Sequence, residues 1–116
     1  MKRSAAFLLL WTVAAAAHAA ADAEVYVNNH IDRIALEIFP ESKDLEWTIQ
    51  EMHTSELGID VIAESQGGDV GFNPARFIVD GKAETPRAIA VYAHAASGGW
   101  HLVGRDEGAQ VPDKLE

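Results

Sequence analysis

The sequence predicts an all-β domain, a small antiparallel β-sandwich of immunoglobulin-like size. Three observations carry this reading: short segments in which apolar and polar residues alternate, turn residues between them at regular spacing, and no alternation of strand and helix patterns. A short opening strand is expected at Glu24 to Val27, and a second where Ile34, Leu36 and Ile38 alternate with Arg33, Ala35 and Glu37. Pro40 to Asp44 makes a turn. Leu45, Trp47 and Ile49 then face one way and Glu46, Thr48 and Gln50 the other, and Leu57, Ile59, Val61 and Ala63 repeat the pattern. Gln66-Gly67-Gly68-Asp69 breaks the chain, Phe77 and Val79 carry the next apolar face, and Asp80-Gly81 turns it. Ile89, Val91 and Ala93 follow, then Ser97-Gly98-Gly99, then Trp100 and Leu102. Leu45, Ile49 and Met52 also lie on one face of a helix, with Ser42 as a cap and Gly58 as a stop. The alternative is therefore an α+β fold with a helix near residues 42–57.

The N-terminus has a different character. Lys2 and Arg3 precede an apolar run from Ala5 to Ala17, and Ala17-His18-Ala19 and Ala19-Ala20-Ala21 both fit a small-residue cleavage pattern. Residues 1–21 read as a secretory signal peptide, with a mature chain starting near Ala20 or Asp22. The run is too short for a membrane anchor, because His18, Asp22 and Glu24 close it. With no cysteine there is no lipid attachment at the cleavage site, so the mature protein is expected in the periplasm, or secreted. Residues 22–105 form one expected domain and residues 106–116 a flexible polar tail.

Loss of the signal peptide leaves 7 of the 9 basic residues against all 18 acidic ones, a formal charge of 7 − 18 = −11. Such a surface disfavours nucleic acid and anionic membranes and favours solubility or a basic protein partner. With no disulfide, stability must come from packing and backbone hydrogen bonds.

No catalytic motif is present. There is no thiol nucleophile, nucleophile elbow, phosphate-binding glycine loop, zinc-protease helix or calcium loop, and the carboxylates fall mostly at solvated strand positions or in turns. The chain is expected not to be an enzyme and to need no cofactor. Trp47 and Trp100 are expected to fill the core.

The stretch from Leu45 to Val70, LEWTIQEMHTSELGIDVIAESQGGDV, resembles the paired strands and glycine turn of the small immunoglobulin-like periplasmic proteins of curli assembly. The matching positions are Trp47, Ile49, Gly58, Ile59, Gln66, Gly67 and Gly68. The later strands match in length and pattern only, and the cysteine pair of many such proteins is missing. The resemblance implies a non-enzymatic, chaperone-like protein that restrains an amyloid subunit, and it transfers no functional residue. Strand addition at a sheet edge gives that class a physical basis. Two rival readings are metal handling and an immunity or inhibitor protein against a toxic enzyme. For metal, a hairpin with Ser97 and Gly98 at its tip would oppose His94 and His101 on the outer face, where two imidazoles could hold copper, nickel or zinc. Met52 and His53 are the next candidates.

Overall fold

The computed structural model describes residues 22–68 and 70–116. The expected signal peptide, residues 1–21, and Asp69 of the expected glycine turn lie outside the described residues.

Residues 22–38 form helix α1, where two strands were expected at 24–27 and 33–38. The reason is the longer period. Ala23, Val27, Ile31, Ile34 and Ala35 recur every three or four residues, and all are buried on one stripe. The competing alternation of Ile34, Leu36 and Ile38 is too short to outweigh that stripe, and the helix leaves Leu36 at 40% exposure. Pro40 follows the helix and opens a short 3-10 turn, Pro40–Ser42, in which the buried Ser42 hydroxyl donates to the Phe39 carbonyl at 2.7 Å.

The strands are β1 (Glu46–Ser55), β2 (Gly58–Gln66), β3 (Ala75–Asp80), β4 (Arg87–His94), β5 (Trp100–Arg105) and β6 (Lys114–Leu115). They make one antiparallel sheet in the order β1-β2-β3-β4-β5-β6, so every strand pairs with its neighbour in sequence. The antiparallel, β-rich class is as expected. The second sheet of a sandwich is replaced by α1, because residues 22–38 carry a helical stripe rather than strand alternation. The alternative helix near 42–57 is strand β1. As a strand, Trp47 joins Ile49 on the face that α1 covers, whereas a helix would have turned Trp47 away from it.

The core between α1 and the sheet is built of aliphatic and aromatic side chains. Val27 and Ile34 of the helix meet Val61 of β2 and Phe77 and Val79 of β3, all fully buried, and Trp47 packs edge-on against Phe77 with ring centroids 5.2 Å apart. Gly58 closes the β1–β2 hairpin at φ 143°, and a β-carbon there would lie 2.4 Å from the Val79 carbonyl oxygen, so no other residue fits. In the connection from β2 to β3, the Asn73 side chain imitates a strand. It accepts from Ser65 N–H at 3.0 Å and donates to Ser65 C=O at 3.1 Å.

The opposite face carries a smaller cluster, Ile78, Ala90 and Tyr92, joined by the half-buried Leu102, Trp100, Val111 and Leu115. The last two come from residues 106–116. This segment, expected as a tail, returns across the face and ends as β6 against β5.

Candidate functional site

The histidine pair is not assembled. His94 stands opposite Trp100, and His101 opposite Ala93. Directly opposed residues share a face and their neighbours take the other, so the two imidazoles project to opposite sides of the sheet. The hairpin loop is the cause. Its ends are tied by the Ala95 N–H to the Gly99 carbonyl, and Gly98 and Gly99 both take positive φ, which moves the pairing one residue from the register expected for a two-residue tip. His94 instead meets the Trp100 ring edge-on at 5.0 Å. Among the described residues no group of three or more His, Asp or Glu is placed to hold a metal ion. The geometric basis for a two-histidine chelate is therefore gone. Of the reserve pair, His53 lies beside Asp60, with Nε2 3.6 Å from Oδ2, while Met52 packs toward the α1 core.

Two features of the sheet are better placed for function. The first is the outer edge of β1, a ten-residue strand at the end of the sheet among the described residues. Ser65 turns its N–H and C=O toward Asn73, so its partner Trp47 turns its own away from β2. That outward Trp47 N–H donates to Asp32 of α1 at 2.7 Å. Beyond it, the ladder places the outward backbone groups at Ile49, Met52 and Thr54, with a bulge between Ile49 and Glu51. The solvent face of this strand carries Glu46 and Glu51, and its only basic side chain is His53. The edge therefore offers backbone donors and acceptors in an acidic setting.

The second is the polar network under the C-terminal segment. Asp60 is 2% exposed and accepts from Arg76 through both oxygens, Nε to Oδ1 at 2.7 Å and Nη2 to Oδ2 at 2.5 Å. The guanidinium lies 5.7 Å from the centre of the Trp100 ring, and its Nη1 donates to the Glu116 backbone oxygen at 3.2 Å. Tyr92, fully buried on the same face, donates its hydroxyl to the Pro112 carbonyl at 2.6 Å. Burial pushes its phenol above the usual range, with Asp113 and Asp60 adding to the rise and Arg76 and Arg105 opposing it. Of these residues only Trp100 was singled out from sequence, as a core residue, and it lies half-buried on the face away from α1; Asp60, Arg76 and Tyr92 were not. The signal that could have found them is a charged residue at an alternating position between buried neighbours, as at Asp60 between Ile59 and Val61.

An open cleft of about 800 Å³ lies where the first turn of α1 (Asp22, Ala23, Tyr26) meets the β1–β2 hairpin and Pro86. Asp80 on its wall is engaged in capping the Lys82 N–H at 2.9 Å. Among the described residues no helix is long and apolar enough to cross a membrane. Compared with known protein families, curated proteins and solved structures, the chain matches none.

Proposed function

We propose that the chain is an exported, non-enzymatic binding domain that takes an extended segment of a client protein along β1. In this reading it acts as a chaperone, restraining the client's assembly into a fibre of the curli type. The observation that carries the reading is the outer edge of β1. Main-chain groups at Ile49, Met52 and Thr54 face away from the sheet, with no strand beside them among the described residues, and such an edge accepts a further strand. The acidic side chains flanking it favour a client segment with Lys or Arg, and the same charge suppresses self-pairing of two β1 edges. The signal-peptide pattern and the resemblance of residues 45–70 to the curli-assembly proteins support export and the kind of client. The bulge after Ile49 limits the usable edge to the stretch from Glu51 to Ser55, enough to hold a growing end but not to template a long ladder.

The test is the lag time of fibre formation by an amyloid-forming subunit, with the purified protein at about a tenth of the subunit concentration. The lag should lengthen several-fold. Met52→Pro removes an outward N–H without breaking the ladder to β2, and a folded M52P protein should lose most of the effect. Unchanged lag times, or an equal delay from M52P, would reject the reading.

A further inference from the structure

The face opposite α1 is filled by a piece of this chain held as a ligand is held. Residues 109–116, Ala-Gln-Val-Pro-Asp-Lys-Leu-Glu, cross it and end in strand β6 at Lys114–Leu115. Val111 and Leu115, four residues apart, pack against Ile78, Ala90 and Tyr92. The polar contacts go to main-chain atoms of the segment. Tyr92 donates to the Pro112 carbonyl, Arg76 to the Glu116 oxygen, and the Leu102 N–H to the Asp113 carbonyl at 2.8 Å. Trp100 and His101 pair with Leu115 and Lys114. Gly99 lets the segment come close, since a β-carbon there would lie 2.7 Å from the Leu115 carbonyl oxygen.

This recognition reads backbone plus two apolar anchors, and little else of the sequence it holds. Its donors are prepared in advance: Asp60 fixes the Arg76 guanidinium from beneath, and the Tyr92 hydroxyl sits at a buried position. A buried ion pair adds little stability over well-packed apolar side chains, so its use here is to aim Arg76 at the segment. The connection from β5 to the segment, residues 106–108, forms a turn closed by the Ala109 N–H to the Asp106 carbonyl, with Gly108 at positive φ.

We propose that the Tyr92–Arg76 face is a peptide-binding site, occupied in the resting protein by residues 109–116. Its partner is an extended segment with apolar residues at positions i and i+4 and a proline after the first, which enters antiparallel to β5 and displaces the resident segment. The site is separate from the β1 edge and does not depend on the reading given for that edge.

The probe is a fluorescein-labelled peptide of residues 109–116, added to the full chain and followed by fluorescence polarisation. In the wild-type protein the tethered segment competes at high effective concentration. Val111→Ser with Leu115→Ser weakens that competitor, and this variant should bind the peptide about tenfold more tightly than wild type. Adding Tyr92→Phe should weaken binding about fivefold, the loss of one hydrogen bond. A scrambled peptide should not bind, and Met52→Pro should leave binding unchanged, which separates this site from β1. Equal affinity in wild type and the V111S/L115S variant would overturn the proposal, as would indifference to Y92F. Loss of cooperative unfolding in V111S/L115S would also overturn it, because the segment would then be part of the fold and not an exchangeable ligand.

Discussion

The two faces of the sheet solve the same problem differently. On one face, α1 lays a stripe of aliphatic side chains over Val61, Phe77 and Val79, and the contact is made by buried apolar side chains. On the other, residues 109–116 cover a smaller cluster beside a buried carboxylate, a guanidinium and a phenol. Non-directional burial sets the stability of the first face, whereas the second spends desolvation on groups with fixed direction. The first is built to hold the fold together, and the second to recognise a chain.

The sharpest way to break this comparison is to remove volume from the helix-covered face. Phe77→Ala deletes a fully buried ring in contact with Trp47 and should cost about 4 kcal/mol in chemical denaturation. A cost below about 1 kcal/mol would show that this face does not carry the fold.

Asp60→Ala should come next, at about 3 kcal/mol, because it strands a largely buried Arg76 without its partner. The double change Asp60→Leu with Arg76→Met should recover most of that loss, since the pair as a unit adds little stability. If the double variant stays as unstable as D60A, the polar network is structural and the contrast between the faces fails.

The smallest effect is expected from Tyr92→Phe, about 1 kcal/mol at neutral pH for one hydrogen bond to Pro112. Its pH dependence sharpens the comparison. The folded phenol titrates above its usual value near 10, so the native state favours the neutral form. The stability it contributes is complete below pH 10 and is lost as pH rises from there through the raised folded pKa. Wild type should show this alkaline loss in urea titrations and Y92F should lack the part due to Tyr92.

Much of the sheet was legible in the sequence. Trp47 and Ile49, Ile59 to Ala63, Phe77 and Val79, and Val91 and Ala93 sit on the faces that alternation assigned to them. Period two is read from short windows, and these strands satisfy it locally. Helix α1 was not read because Ile34, Leu36 and Ile38 mimic a strand over five residues, and the deciding stripe appears only when Ala23, Val27 and Ile31 are counted with Ile34 and Ala35. The β4–β5 register failed for a different reason. It is set by loop dihedrals at Gly98 and Gly99, and a one-residue difference there moves His101 to the other face. The polar network was hidden because Asp60, Arg76 and Tyr92 meet through pairings between β2, β3 and β4, and their segment partners lie in a stretch whose composition reads as loop.

The placement of the tryptophans makes the two faces separately observable by light. The Trp47 indole N–H is buried with no hydrogen-bond partner among the described residues, and burial of the ring shifts its emission to short wavelength. Trp100 is half-buried, with the His94 ring edge-on beside it and the Arg76 guanidinium as its other neighbour. Undocking of α1 would therefore redden the emission of Trp47, while movement of the C-terminal segment would alter the yield of Trp100. In a chain that begins at Asp22 and so leaves out Trp11, a single intrinsic spectrum, deconvoluted with Trp47→Phe and Trp100→Phe, distinguishes opening of one face from opening of the other.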